Sequence, residues 1–266
     1  MKAKKSFGQH FLTNPHIRER IAHVSSYSST QNVLEVGPGK GALTSYLLPQ
    51  DIHLKVVEAD RDMIEYLLNE SELLLQKDQI IAEDFLKVDL AEVFDGNPFV
   101  LIGNYPYNIS SQIIIKMLET RAFIPEMVGM FQKEVADRII SRKSTKTYGT
   151  LSVMTQVYYD VEKVMNIAPG NFAPPPKVDS AVIHCIRKSE PLYHGEFQYL
   201  QTVVRSIFGQ RRKMVRNSLK PLFSKEALAE LPYLTLRPEQ MEVEQFVELA
   251  QIFEAYILNG QQSAED

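Results

Sequence analysis

The chain has 266 residues, 44% hydrophobic and 23% charged, a soluble globular composition with room for one large domain, or a large one and a small one. Its one cysteine, Cys185, excludes an internal disulfide and any multi-cysteine metal site, and lies in an apolar, strand-like run as an inert core residue. A net charge of −4 gives no global sign of nucleic acid, so such a partner must be argued from local patches.

The amino terminus carries Lys2, Lys4 and Lys5 with no apolar segment after them, and no run approaches a membrane span, so the chain reads as cytoplasmic. Phe7-Gly8-Gln9-His10-Phe11-Leu12 then precedes a helix predicted over residues 15–24. This loop reads either as a flap over a ligand or as a hydrophobic latch for the terminus. No His, Asp or Glu spacing here resembles a metal site.

Asn32-Val33-Leu34-Glu35-Val36 reads as a buried strand, followed by Gly37-Pro38-Gly39-Lys40-Gly41-Ala42 and a helix over residues 43–48. Glycines directly after a strand let the backbone turn sharply and approach a ligand closely. The next strand, residues 54–58, ends in Glu58, about 20 residues beyond Gly37, where an acid meets a ribose hydroxyl. Together these point to a nucleoside cofactor, against the plainer reading of a tight turn and a solvated acid. Both NAD and S-adenosylmethionine carry that ribose. A third strand over residues 79–85 places Asp84 where it can bond an adenine amine, with Phe85 beside the ring.

Phe99-Val100-Leu101-Ile102 reads as a further buried strand, and a helix follows from residue 112 with Ser110 or Ser111 as its N-cap. Between them, Gly103-Asn104-Tyr105-Pro106-Tyr107-Asn108-Ile109-Ser110 sets an amide, a proline and an aromatic ring at the carboxyl end of a strand, where open α/β sheets hold ligands. That trio suits alkylation of a planar amine. The Asn104 carbonyl and a neighbouring backbone carbonyl accept the two N–H bonds, Pro106 stiffens the turn, and Tyr107 offers a π-face to a base. The same residues also fit an ordinary strand-to-helix turn. Because the turn has no part in hydride transfer, it favours the methyl donor over a nicotinamide.

Further strands are predicted over 127–131, 151–158 and 180–186, with a helix over 133–141. The loop over 168–179 contains Pro174-Pro175-Pro176, a stiff extended stretch. Phe172 in it is read either as the second face of a base clamp opposite Tyr107 or as a plug in the core. Lys188 to Pro191 reads as a linker, dividing the chain into residues 1–188 and 189–266. Beyond it the pattern is helical. On one continuous helix from Phe197, Val204, Ile207, Phe208, Val215, Leu219 and Leu222 share a face, with Arg205, Arg212, Lys213, Arg216 and Lys220 in an adjoining arc of about 100°. Such a stripe suits a phosphate backbone, and a break at Gly209 would make it two patches. A second basic cluster, Arg138, Arg142, Lys143 and Lys146, stands mid-chain.

Nearly end to end, the chain resembles the KsgA-type ribosomal RNA adenine dimethyltransferases. The resemblance is carried by residues 7–12, Glu35-Val36-Gly37-Pro38-Gly39, residues 104–110, residues 172–180 and Gln210-Arg211-Arg212-Lys213-Met214-Val215-Arg216-Asn217-Ser218. It implies an α/β fold of class I S-adenosylmethionine-dependent, Rossmann-like type, with a seven-stranded sheet whose last strand is antiparallel and a small all-helical carboxyl-terminal domain. It implies N6,N6-dimethylation of two adjacent adenosines in a hairpin near the 3′ end of small-subunit rRNA, during ribosome biogenesis, by a monomer that needs no metal. Carried over by position, His10, Leu12, Gly37, Gly39, Glu58, Asp84 and Asn104 meet the cofactor. Asn104, Pro106, Tyr107 and Phe172 hold the target adenine, and Arg205, Arg211, Arg212, Lys213 and Arg216 meet RNA. Two positions depart from the family pattern: His10 is often Asn, and Tyr105 stands where Leu is usual. Three other readings share parts of this pattern: an Erm-type large-subunit enzyme, an assembly factor whose binding outweighs its chemistry, and a nicotinamide oxidoreductase. The proline loop and the Gln210–Ser218 run argue against the first.

Overall fold

The computed structural model describes residues 10–69, 72–73 and 75–265. Lys2, Lys4, Lys5 and the Phe7-Gly8-Gln9 part of the first motif therefore lie outside the described residues. The chain forms two compact units, one of residues 1–136 and 161–187, the other of residues 137–160 and 188–266. A division falls at 187/188, next to the expected linker, but the second unit also takes residues 137–160, which had been placed in the first domain.

The first unit is built on a seven-stranded sheet. In chain order its strands are β2 (Asn32–Val36), β3 (His53–Val57), β4 (Ile80–Ile81), β5 (Val100–Asn104), β6 (Glu126–Gln132), β7 (Tyr159–Ile167) and β9 (Ser180–Arg187). A two-stranded antiparallel ribbon pairs β1 (Phe11–Leu12) with β8 (Phe172–Ala173). The sheet order is β4-β3-β2-β5-β6-β9-β7. Strands β2 to β6 run parallel and β9, the last in sequence, pairs antiparallel with β6, as expected. Val33, Leu34, Val56, Val100, Leu101, Ile102, Met127 and Val128 are buried, as central parallel strands covered on both faces require. Each such side chain contributes roughly 1.5–3 kcal/mol of burial.

Helices α1 (Pro15–Ala22), α2 (Thr44–Leu47), α3 (Arg61–Asn69) and α4 (Ser110–Glu119) connect the strands. Asn14 caps α1 through its side chain, accepting from the His16 and Ile17 N–H groups. Helix α4 starts at Ser110 with Ile109 as its N-cap, so neither serine caps it; the Ser110 hydroxyl instead donates to the Tyr107 carbonyl at 3.1 Å. The strand predicted over 79–85 is only two residues long. Asp84 and Phe85 lie in the turn after it.

Helix α5 (Lys133–Ile140) ends in the second unit. That unit contains α6 (Thr150–Tyr158), α7 (Phe197–Gly209), α8 (Val215–Leu219), α9 (Lys225–Ala229) and α10 (Val243–Glu265). Residues 151–158 had been read as a strand. Val153, Thr155 and Val157 are β-branched and alternate as in a strand, while Ser152, Thr155 and Gln156 share one helical face; most of the segment is buried, and it folds as the helix. Helix α7 packs on α6, α8 and α10. Phe208 stacks on Phe246 at 5.2 Å and meets Tyr148 edge-on at 5.7 Å. None of the helices, among the described residues, is long and apolar enough to cross a membrane.

Candidate active site

Strand order reverses direction between β2 and β5, and a cavity of about 280 Å3 opens at the carboxyl ends of β2, β3 and β5. His10, Leu12, Gly37, Gly39, Glu58, Asp84, Asn104, Pro106 and Tyr107 all line it. Phe172 does not. Its side chain is buried in the core beside Leu12 and Ile167, and its backbone pairs with Leu12 in the β1–β8 ribbon. The core-plug reading of Phe172 is the one this geometry supports, so the second face of the proposed clamp is not supplied by this ring. The reason is the register of a long-range pairing: the ribbon alternates its side chains, and pairing Leu12 with Phe172 turns both inward.

The glycine turn after β2 brings backbone close to the cavity. Gly37 has φ +68° and donates to the Val57 carbonyl at 2.9 Å. Gly39 has φ +56°, and a Cβ there would stand 3.0 Å from the Phe11 ring, so only glycine admits both the turn and the ribbon above it. The Gly39 N–H donates to Glu58 Oε2 at 3.2 Å, and the Asp60 N–H to Glu58 Oε1 at 2.9 Å. Glu58 is buried, and burial pushes its carboxyl up against the opposing pull of these N–H groups. The Ala59 N–H adds to this pull, and the carboxylate keeps acceptor capacity toward the cavity for a ligand hydroxyl.

Asp84 Oδ1 accepts from the Leu86 N–H at 3.0 Å, which fixes the carboxylate at the cavity rim with Phe85 buried beside it. Two lining acids, Glu35 and Glu83, were not singled out from the sequence as site residues. Glu35 is 2% exposed, accepts from the Thr44 hydroxyl at 2.7 Å, and has its pKa raised to about 7, chiefly by burial. For Glu35 the signal was an acid inside the otherwise apolar run Val33 to Val36.

At the other end, Asn104 donates through Nδ2 to the His10 carbonyl at 2.9 Å, which leaves Oδ1 as the amide's acceptor. The Pro106 carbonyl accepts from the Ile109 N–H at 3.2 Å and keeps its second lone pair. The Tyr107 hydroxyl lies 2.5 Å from Ser180 Oγ at the start of β9. The His10 ring stacks on Tyr107 with centroids 5.3 Å apart and planes inclined by 28°, and its Nδ1 is 2.9 Å from the Pro174 carbonyl. Thus His10 binds Asn104 through its backbone and lies over Tyr107 through its ring.

In the second unit the continuous basic stripe does not form. Helix α7 ends at Gly209, leaving Arg205 on α7, Arg211, Arg212 and Lys213 in the following turn, and Arg216 on α8. Arg211 donates to the Thr145 carbonyl at 3.1 Å, and the Ser144 N–H donates to the Glu239 carbonyl at 2.7 Å. These bonds tie the 142–147 loop, with exposed Arg142, Lys143 and Lys146, to the turn carrying exposed Arg212 and Lys213. Two clusters distant in sequence therefore adjoin, although Lys143 also pairs with Glu242.

A ribosomal RNA adenine dimethylase family profile matches residues 1–257. The chain is 48% identical over 257 residues to the ribosomal RNA small subunit methyltransferase A of Flavobacterium johnsoniae, covering 96% of this chain and 97% of the relative. It is 46% identical to the protein of the same name from Bacteroides thetaiotaomicron, covering 94% and 93%. Among solved structures it is similar to a dimethyladenosine transferase from Plasmodium falciparum, with a TM-score of 0.75, 27% identity, and 92% and 98% of the two chains covered. It is also similar to the 23S rRNA methyltransferase ErmE, with a TM-score of 0.65, 26% identity, and 92% and 99% covered.

Proposed function

The chain belongs to the ribosomal RNA adenine dimethylase family, an enzyme family, and on that premise we propose that it dimethylates N6 of two adjacent adenosines in the 3′-terminal hairpin of small-subunit rRNA. The observation that carries this reading is the Asn104 amide, whose N–H is spent on the His10 carbonyl so that its oxygen is held as an acceptor in the cavity. The chain's similarity to ErmE does not shift the proposed substrate, because the 44–48% identical relatives are named for the small subunit.

The cavity fits S-adenosylmethionine. A buried carboxylate facing the cavity suits a ribose diol, an acid beside a buried aromatic suits an adenine, and the glycine turn admits a ligand against backbone. Glu58 would hold the ribose, Asp84 and Phe85 the adenine, and His10, Leu12, Gly37 and Gly39 the methionine end. Bound there, the cofactor supplies an electrophilic methyl group. Asn104 Oδ1 and the Pro106 carbonyl accept the two N–H bonds of the target amine, favouring its pyramidal, nucleophilic form. Tyr107, anchored through Ser180, sets the plane of the base. As the amine gains a methyl group it becomes acidic and releases its proton, so the residues act by positioning rather than as a tuned base. On the second unit, the adjoining 142–147 loop and 211–213 turn, with Arg205 and Arg216, are the surface proposed for the RNA backbone. The setting for such a reaction is cytoplasmic ribosome assembly.

The test is methyl transfer from labelled S-adenosylmethionine to immature small subunits, with the modified nucleotides mapped by mass and Asn104→Ala run in parallel. Dimethyladenosine at two adjacent positions, lost in the variant while particle binding persists, is the expected result. Modification of large-subunit RNA, or tight particle binding without methylation, would overturn it.

A further inference from the structure

The segment between β4 and β5, residues 82–99, contains no strand and no regular helix, yet it carries Asp84 and Phe85 into the cavity. Two lysines hold it from outside. Lys116, on α4, donates through Nζ to the Leu86 carbonyl at 2.9 Å and the Val88 carbonyl at 2.6 Å, and stands 5.5 Å from the centroid of the Phe85 ring. Lys55, on β3, repeats the arrangement further along: its Nζ donates to the Val93 carbonyl at 2.7 Å and lies 5.2 Å from the Phe94 ring. An ammonium group has three donors and a compact charge, so two carbonyls and an aromatic face satisfy it fully. Lys116 holds two carbonyls and Lys55 one, and the two staples differ in place: Phe85 lines the cavity, and Val93 and Phe94 do not.

We propose that Lys116 is a positioning residue for the adenine end of the cofactor, fixing the 84–88 turn so that the Phe85 ring and the Asp84 carboxylate are preset for the base. This rests on the assignment of Asp84 and Phe85 to adenine made above. Asp84 is committed to its own turn, since its carbonyl accepts from the Lys87 and Val88 N–H groups at 2.8 and 3.3 Å and its Oδ1 from Leu86. Without the ammonium, the Leu86 and Val88 carbonyls that face Lys116 lose their partner, and the turn loses the bonds that orient it. Burial pushes the Lys116 pKa down, opposed by Asp84, Asp89 and Glu119. Helix α4 also begins directly after the Asn104–Ile109 turn, so one helix anchors both the base-binding and the adenine-binding ends of the site.

The experiment is calorimetric binding of S-adenosylhomocysteine and S-inosylhomocysteine to wild type, Lys116→Met and Lys55→Met, with kcat and cofactor KM measured beside it. Lys116→Met is expected to weaken S-adenosylhomocysteine by roughly 10- to 100-fold, the scale of losing charge-assisted hydrogen bonds that preorganise a site. Preference for the adenine over the hypoxanthine ligand should shrink, with kcat at saturating cofactor within about 2-fold of wild type. Lys55→Met, which removes the same kind of staple away from the cavity, should lower the melting temperature and leave both affinities unchanged. Equal affinities in wild type and Lys116→Met, or an equal loss in both variants, would overturn the proposal. So would unfolding of Lys116→Met together with Lys116→Arg, which would make Lys116 a fold anchor only. Failure of wild type itself to bind S-adenosylhomocysteine would instead remove the cofactor assignment.

Discussion

The Tyr107 hydroxyl and Ser180 Oγ lie 2.5 Å apart, joining the turn after β5 to the first residue of β9 at the end of the proline loop. Ser180 is fully buried, so the bond is made away from solvent and fixes the tilt of the ring. Burial also raises the Tyr107 pKa, opposed by the Ser180 bond. Ser180→Ala and Tyr107→Phe should each lower kcat for methyl transfer by about 3- to 10-fold, the effect of losing one orienting hydrogen bond. The double variant should be no worse than the weaker single one. Steady-state kinetics on the small-subunit substrate decides it, and an unchanged kcat in Ser180→Ala would remove the anchor.

Glu35 gives the site a pH signature. Its folded carboxyl keeps its proton up to about 7, against 4.5 for the ordinary group, because burial outweighs the Thr44 hydrogen bond and the Glu58 charge adds to it. Folding therefore takes up a proton between those values, and stability falls as the pH rises through that window. Glu35→Gln removes the dependence and should be the more stable protein at pH 8, by on the order of 3 kcal/mol. A cationic ligand in the same cavity favours the ionised carboxylate. Affinity for S-adenosylmethionine should accordingly weaken as the pH falls through 7 in wild type and stay flat in Glu35→Gln. Denaturant titrations and binding isotherms at pH 5.5 and 8 test both statements.

Much of this site was legible because its chemistry is written in short contiguous runs. The turn from Gly37 to Gly39, the acid Glu58, and the stretch from Asn104 to Tyr107 each follow a strand that apolar content identifies, and sheet topology gathers their ends without further information. What was not legible depended on burial or on distant pairing. Residues 151–158 set the β-branched Val153, Thr155 and Val157 at every second position, so a buried helix looked like a strand. Strand β7 alternates poorly because its middle residues are exposed and charged. Whether Phe172 faces a ligand or the core is decided by its register against Leu12, a partner some 160 residues away. The union of the 142–147 loop with the Arg211 turn likewise rests on one side-chain bond to the Thr145 carbonyl.

A second pH dependence belongs to stability alone. On the adjacent strands β9 and β6, outside the cavity lining, His184 Nε2 lies 2.7 Å from Glu126 Oε1, with Glu162 at 3.5 Å from Nδ1 and Ser29 donating to Glu126 Oε2. The bond to Glu126 raises the His184 pKa above 6.5, against burial, with further support from Glu162. Burial would raise Glu126, but the His184 bond, Ser25 and Ser29 together hold it below 4.5. The histidine's contribution is fully present below pH 6.5 and is lost as pH rises through its folded value; the glutamate's is present above 4.5 and is lost on acidification. The pair is therefore worth most between about pH 5 and 6.5. His184→Gln should cost roughly 1–3 kcal/mol there and less at pH 9, as read from denaturant midpoints at each pH.

The last test concerns Tyr105, in the turn after β5. Its ring is 1% exposed, meets Phe131 edge-on at 5.0 Å, and fills a slot between Gly103 and Gly129, which face each other across β5 and β6. A Cβ at Gly129 would stand 2.3 Å from the ring, so the glycine is what admits the tyrosine. The phenol oxygen is buried with no hydrogen-bond partner, and burial raises its pKa well above 10. Tyr105→Phe removes an unsatisfied polar atom and keeps the packing, so it should leave stability equal or higher by up to about 2 kcal/mol. Tyr105→Leu leaves a void under the Asn104–Tyr107 turn and should cost about 1–3 kcal/mol and lower kcat more than cofactor affinity. Gly129→Ala should destabilise wild type by a few kcal/mol through overpacking, and only partly less in the Tyr105→Leu background, because a Cβ there would still stand 2.6 Å from the Phe131 ring and 2.9 Å from the Met127 sulfur. A double-mutant cycle in urea measures that coupling, and additive effects would separate Gly129 from the tyrosine.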